Sequence, residues 1–82
     1  MYDIIFNKIA RKQLSKLPNE IKKRVLSSLL RIKIRPYSFV KKLSNSRYFR
    51  LRVGDYRVIL DIQKNKLIII VVEVGHRRNI YR

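Results

Sequence analysis

Residues 47–63 read RYFRLRVGDYRVILDIQ, and this stretch decides the fold because it has the pattern of a β-hairpin. On both sides of Gly54-Asp55 every second residue is apolar, as expected of strands with one buried face. Gly54 stands where a two-residue type II′ turn needs a positive φ angle. We therefore predict strands at about 47–53 and 56–63, joined by a tight turn.

The turn also fixes which residues of the hairpin lie side by side. If Val53 pairs with Tyr56, every second pair is apolar, and these pairs form the buried face. The opposite face then carries Arg50 and Arg52 on one strand and Arg57 on the next. Because Arg52 would lie directly opposite Arg57, and like charges so placed destabilise a hairpin, we interpret the three arginines as an anion-binding site. The alternative is that they are ordinary solvated strand residues.

The flanking sequence adds two helices and two more strands. A strand is predicted at about 2–6, and helices follow over 8–17 and 20–34, where apolar residues recur at helical spacing. A polar loop is expected over 37–46 and a last strand at about 66–74. The order is βααβββ, an α+β fold with a two-helix hairpin packed on one face of a mainly antiparallel four-stranded sheet.

The two helices have start signals and a wide apolar surface. Asn7 and Asn19 can each cap the first turn of a helix, and Pro18 ends the first helix. In the second helix, Leu26 and Leu30 flank the apolar stripe, which suits a helix that lies on a sheet.

The net charge points to an anionic partner. Lysine and arginine number 21, whereas aspartate and glutamate number 5, which gives a formal charge of +16 at pH 7. Such a charge opposes compaction and attracts polyanions. Basic residues interleaved with tyrosines on a sheet favour nucleic acid over an anionic membrane surface.

Length and composition exclude several classes of protein. The 82 residues form one domain, 1–82, with a modest core. Without cysteine, and with one histidine and few carboxylates, the chain has almost no ligands for a metal, so we expect no metal and no cofactor. There is no signal peptide pattern after Met1, and the longest apolar run, 67–72, is too short to cross a bilayer. We expect a cytoplasmic protein with no membrane partner.

A second basic cluster follows the last strand, with the sequence GHRRNIYR at 75–82. A neutral imidazole can accept a proton, so His76 is a candidate general base, although a lone histidine more often serves packing. Tyr81 can stack on a base, or it can simply cover the edge of the core.

Together these segments resemble the RelE/ParE superfamily of toxins from type II toxin–antitoxin systems. The resemblance lies mainly in YFRLRVGDYRVIL at 48–60 and VEVGHRRNIY at 72–81, and it extends over essentially the whole chain. It implies a RelE-type mRNA interferase, a metal-independent endoribonuclease that cleaves mRNA in the ribosomal A site. The nucleophile would be the ribose 2′-OH, and the products would carry a 2′,3′-cyclic phosphate and a 5′-hydroxyl.

The resemblance also implies roles for single residues. Arg50 stands where RelE-type enzymes have a catalytic lysine, and Arg57 and Arg77 match arginines that clamp the phosphate. Tyr81 matches a tyrosine that stacks on a base and assists proton transfer, although the stretch before it is a couple of residues shorter than in the RelE-type enzymes.

The position of a further family lysine is occupied by Tyr48. Arginine is too basic to act as an ordinary general base, so either His76 or Tyr48 takes the 2′-OH proton, or catalysis rests on charge stabilisation and positioning. Other basic and aromatic residues of the two clusters and the preceding loop are predicted to contact RNA: Lys41, Lys42, Arg47, Tyr48, Arg52 and Arg78.

The expected partners are the ribosome, mRNA and an acidic antitoxin, and a heterotetramer with the antitoxin is one assembly that the resemblance permits. The antitoxin would cover either the basic face or the helix pair. Two other functions stay open at this point. ParE-type members of the superfamily poison DNA gyrase, and a basic RNA-binding module need not be catalytic.

Overall fold

The computed structural model describes residues 1–76, and residues 77–82 lie outside the described part. Within residues 1–76 the elements follow in this order: β1 (Asp3–Phe6), α1 (Lys8–Ser15), α2 (Asn19–Ile32), a short 3-10 helix (Pro36–Ser38), β2 (Val40–Lys42), β3 (Phe49–Val53), β4 (Tyr56–Gln63) and β5 (Ile68–His76). The strands form one mixed sheet in the order β1-β5-β4-β3-β2.

The hairpin of β3 and β4 has the predicted register. Val53 pairs with Tyr56, and the pairing continues without a shift to Phe49, which lies opposite Leu60. Gly54 has a φ angle of +59°, while Asp55 does not have a positive φ, as a type II′ turn requires. The turn and the sequence pattern therefore predict correctly which side chains of this hairpin face the core and which lie on the opposite face.

The predicted count of four strands was wrong, because the sheet has five within residues 1–76. The α+β class with two helices on one face is confirmed, and three of the four strand pairings are antiparallel. The predicted loop contains β2, which pairs antiparallel with β3. A strand of three residues is too short to show a periodic pattern. In addition, β1 pairs in parallel with β5, from Asp3 beside Ile68 to Phe6 beside Val71. The two helices supply the crossover that parallel strands need.

Of the two predicted helix caps, one is confirmed and one was wrong. Asn7 caps α1, because its Oδ1 accepts a hydrogen bond of 2.8 Å from the backbone N–H of Ala10. The predicted cap at Asn19 was wrong: Asn19 is already the first residue of α2, and Pro18 occupies the cap position without a side-chain hydrogen bond. Pro18 has extended backbone angles there, so the helix begins one residue earlier than expected.

The core lies between the helices and one face of the sheet. Val25, Leu29 and Ile32 of α2 are buried against strand residues such as Leu60 and Val71. Elsewhere, the Oε1 atom of Gln13 on α1 accepts a 2.7 Å hydrogen bond from the backbone N–H of Val74 on β5. Within residues 1–76 no helix is both long and apolar enough to span a membrane. The other face of the sheet carries neither α1 nor α2, and the candidate site lies on it.

Candidate functional site

The helix-free face of the sheet gathers the arginines of the hairpin. Since Leu51 and Val58 point into the core, the alternating residues Arg50, Arg52 and Arg57 lie on the opposite face. Arg52 is directly opposite Arg57, as the sequence predicted, and Arg50 is diagonal to Arg57. Arg52 is exposed, whereas Arg50 and Arg57 are half-buried.

A fourth cation joins this group from β2. Lys41 pairs with Arg50, so its exposed side chain lies on the same face. We call Lys41, Arg50, Arg52 and Arg57 the cationic face. These residues come from three adjacent strands, and backbone hydrogen bonds hold those strands in register. Lys41 was predicted to contact RNA from a loop, and its place beside Arg50 was not foreseen because β2 was missed.

The hairpin turn brings two more polar contacts close to the cationic face. The Nε atom of Arg52 donates a 3.2 Å hydrogen bond to the carbonyl oxygen of Gly54, which orients the guanidinium group. From the helix side, Arg24 of α2 reaches the same turn: a Cβ atom on Gly54 would lie 3.2 Å from its guanidinium nitrogens. The sequence interpretation did not single out Arg24, and only the packing of α2 reveals its position.

An ion pair balances the charge at the far end of the same face. Asp61, with 6% of its surface exposed, lies on β4 beyond Ile59. One of its oxygens accepts a 2.7 Å bond from Nη2 of Arg47 and a 3.2 Å bond from Nε2 of Gln63. The hydrogen bond and the attraction of the carboxylate raise the pKa of Arg47. Asp61 therefore supplies Arg47 with a protein counter-ion, although Arg47 was predicted to contact RNA.

The other residues predicted for the site either lie away from the cationic face or fall outside residues 1–76. His76 pairs with Tyr56, with ring centroids 5.4 Å apart, whereas Arg57 pairs with Gly75. Since paired residues share a face, His76 lies on the helix side, away from the cationic face. Its role as general base stays a prediction that this placement disfavours.

Tyr48 precedes β3 and its ring centroid is 5.6 Å from the guanidinium carbon of Arg47. Lys42 pairs with Phe49 and therefore points away from Lys41. Among residues 1–76 no three acidic or histidine side chains are grouped so that they could hold a metal ion. Three predicted site residues lie outside the described part: Arg77, Arg78 and Tyr81.

The fold and the cationic face can now be compared with known proteins. The model of the family described as "ParE toxin of type II toxin-antitoxin system, parDE" matches residues 4–81. The chain belongs to this family. It is therefore a toxin of the RelE/ParE superfamily, as the sequence resemblance predicted. A search of curated proteins found no match to the chain.

Solved structures agree with this membership. The RelBE2 toxin–antitoxin complex of Mycobacterium tuberculosis contains a chain that is 28% identical, with a TM-score of 0.86 over 93% of this toxin and 98% of that chain. The archaeal RelE–RelB complex of Pyrococcus horikoshii gives 27% identity and a TM-score of 0.81, covering 95% and 97%. The intact E. coli RelBE complex, at 23% identity and a TM-score of 0.82 over 93% and 96%, shows the same fold.

Proposed function

We propose that this toxin is a ribosome-dependent endoribonuclease that cleaves messenger RNA in the A site. The cationic face is the observation that carries the proposal. Cleavage of a phosphodiester places extra negative charge on the phosphate oxygens in the transition state. Guanidinium groups bind such oxygens through paired hydrogen bonds. The strand register that brings Arg50, Arg52 and Arg57 together on one face supports this role.

The proposed reaction needs only charge stabilisation, alignment and proton transfer. The ribose 2′-oxygen attacks the adjacent phosphorus, the new O2′–P bond forms, and the P–O5′ bond breaks. The 2′-OH proton passes to a base and a proton reaches the 5′-oxygen, which leaves a 2′,3′-cyclic phosphate and a 5′-hydroxyl. Arg57 and Arg50 would stabilise the phosphate charge, with Arg77 completing the clamp and Tyr81 assisting proton transfer.

Because His76 lies on the helix side of the sheet, we assign most of the rate enhancement to charge stabilisation and positioning. Tyr48 is the remaining candidate for the base. Lys41, Arg52 and Arg78 would contact the RNA backbone. Lys42, which points away from Lys41, and Arg47, which is paired with Asp61, were also predicted to do so but are placed less favourably.

The proposed partners are mRNA, the ribosome and an acidic antitoxin, within the cytoplasm. The similar proteins from M. tuberculosis and P. horikoshii were solved as complexes of a toxin with its antitoxin. A positively charged toxin favours an acidic partner, since opposite charges speed association and give specificity. A heterotetramer remains one form that such a complex can take.

A second candidate function is inhibition of DNA gyrase. Two observations favour it: the matching family is described by its ParE toxins, and positions 48 and 50 hold Tyr48 and Arg50 instead of the lysines of RelE-type enzymes. The fold alone does not separate the two activities.

One experiment separates the candidates. Purified toxin is added to a translating messenger RNA without extra metal, cut sites are mapped by toeprinting, and gyrase supercoiling is assayed in parallel. A-site cuts with 5′-hydroxyl ends are expected, and the Arg57→Ala protein, purified in the same way, controls for contaminating nuclease. Intact message with blocked supercoiling would establish the gyrase alternative. RNA binding without cleavage would indicate a non-catalytic module.

A further inference from the structure

The helix-free face of the sheet also holds a carboxylate, which comes from β5. Glu73 is half-buried and pairs with Ile59 of β4, and Ile59 pairs on its other side with Arg50 of β3. Because residues that pair across a sheet share a face, Glu73 lies on the same face as Arg50. It is also diagonal to Arg57, whose own partner on β5 is Gly75. An acid that was not among the predicted site residues therefore borders the cationic face.

An irregularity in β5 turns Glu73 towards this face. Val71 and Glu73 pair with consecutive residues of β4, so Val72 is an extra residue that forms a β-bulge. With regular alternation, the buried Val71 would place Glu73 in the core as well and Val74 on the opposite face. Instead, Val74 is buried in the core, and Glu73 lies outside it. Bulges are frequent beside active sites, where they change the direction of a side chain.

The other acidic residues of the chain are either paired or lie elsewhere. The chain has five acidic residues, all within residues 1–76. Asp61 shares the face with Glu73, but it is buried and bonded to Arg47. Three more lie in β1, in the first turn of α2 and in the hairpin turn: Asp3, Glu20 and Asp55. Within residues 1–76 the carboxylate of Glu73 forms neither a hydrogen bond nor an ion pair, so its oxygens can accept a hydrogen bond from bound RNA.

A carboxylate beside a group of arginines selects one kind of ligand atom. When ionised it accepts hydrogen bonds and donates none, so it repels the phosphate that the arginines attract and favours a donor next to that phosphate. The donor adjacent to the scissile phosphate is the ribose 2′-OH. Diagonal residues on neighbouring strands are about 7–8 Å apart, a distance that a glutamate side chain can bridge to a 2′-OH whose phosphate is held at Arg57.

We propose that Glu73 is the general base of the ribonuclease reaction. The 2′-OH proton passes to a carboxylate oxygen of Glu73 while the O2′–P bond forms and the P–O5′ bond breaks. The 5′-oxygen takes a proton from water, and Glu73 returns its proton to the solvent. The inference rests on the proposed ribonuclease function and supplies its proton acceptor. Among the residues predicted from the sequence, Tyr48 had remained for this role, but a phenol already carries a proton, whereas an ionised carboxylate is ready to accept one.

The test compares wild type with Glu73→Gln in single-turnover cleavage on programmed ribosomes, between about pH 6 and about pH 8. Glutamine keeps the shape of the side chain but cannot take the proton, so the rate near neutral pH should fall by about 10²-fold or more. Hydroxide must then remove the proton, and the rate of the variant should rise about tenfold per pH unit, more steeply than the wild-type rate. The deficit therefore shrinks as the pH rises. A purely structural role of Glu73 would give the same deficit at every pH.

Two further variants control for charge and for folding. Glu20→Gln makes the same change of charge at an exposed residue of α2, in the layer of helices, and should cleave within about threefold of wild type. Glu73→Ala leaves a gap that a small carboxylate can fill, so sodium formate should raise its cleavage rate above the rate in sodium chloride of equal ionic strength. Circular dichroism checks the fold of each variant.

The outcomes separate this proposal from the function on which it rests. The role of Glu73 is overturned, with the ribonuclease function intact, if folded Glu73→Gln cleaves within about threefold of wild type or if its deficit is equal at every pH. If Glu73→Gln does not fold, the absence of rescue of Glu73→Ala by formate overturns the role. Wild-type toxin that makes no A-site cut would overturn the ribonuclease function itself, and the role of Glu73 with it.

Discussion

At the scale of single residues, Arg57 has the position best suited to hold a phosphate. It is half-buried on a central strand, with Arg52 opposite it and Arg50 diagonal to it. A guanidinium group fixed in this way needs little rearrangement when negative charge develops, and such preorganisation is the main source of electrostatic catalysis.

We predict that Arg57→Ala lowers the rate of A-site cleavage by about 10²-fold or more, since one preorganised charge contact is lost. Arg57→Lys keeps the charge but loses the paired hydrogen bonds, so its cleavage rate should lie between the rates of the wild type and of Arg57→Ala. Lys64→Ala is the matched control, because Lys64 is an exposed cation just beyond the other end of β4. Single-turnover cleavage on programmed ribosomes is the measurement. A folded Arg57→Ala protein with near wild-type rate would refute the assignment.

His76 tests the chemistry of proton transfer. Because its ring contacts Tyr56 on the helix side, we predict that His76→Gln leaves the pH dependence of the cleavage rate unchanged. Tyr48→Phe, measured in the same series, examines the other candidate base. If His76→Gln removes an ionisation from the pH–rate profile, His76 returns to the mechanism as the proton acceptor.

At the scale of elements, local signals were predictable and remote pairings were not. The β3–β4 hairpin was predictable from its glycine turn and from apolar residues at every second position. The shared face of Arg50, Arg52 and Arg57 followed from the same pattern. Lys41 could not be placed beside Arg50, because three residues of β2 carry no period.

Two further positions depend on tertiary packing. Arg24 reaches the Gly54 turn only because α2 packs across that end of the sheet. Likewise, the parallel partner of β1 is distant in sequence, and no local pattern identifies β5 as its neighbour. The sequence therefore predicted the central half of the candidate site and missed the contributions from the sheet edge and the helix layer.

The two asparagines at the helix starts give a matched test of capping. Asn7→Ala removes the acceptor for the Ala10 N–H and should lower the free energy of unfolding by about 1 kcal/mol. Asn19→Ala should change it by less than about 0.5 kcal/mol, since Asn19 makes no cap bond. Urea unfolding of both variants is the measurement. Equal losses in the two variants would contradict the difference between these helix starts.

At the scale of the whole molecule, the large net charge opposes the compact state through self-repulsion. The formal charge is +16, and one ion pair within residues 1–76 joins Arg47 to Asp61. The molecule measures 33 × 26 × 23 Å. The Debye length is about 30 Å at 0.01 M salt and about 10 Å at 0.1 M, so added salt screens repulsion across most of the molecule.

We therefore predict that the unfolding temperature of the isolated toxin rises as sodium chloride increases from about 0.01 to about 0.1 M. The Asn7→Ala variant is a useful control: it has the same charge and lower stability, and it should show a rise of the same size. Differential scanning calorimetry gives the measurement. A fall in unfolding temperature with salt would mean that attractive charge pairs outweigh the repulsion.

The parallel pairing of β1 with β5 has a consequence for the order in which the chain can acquire its structure during synthesis. Asp3 is made before both helices and the hairpin, whereas its partner Ile68 is made only after them. The loop that this contact closes contains nearly all of the described chain, and closing so long a loop makes such pairings late steps of folding. A nascent chain that has not yet reached β5 cannot complete the sheet, so β1 stays without its strand partner until β5 has been made.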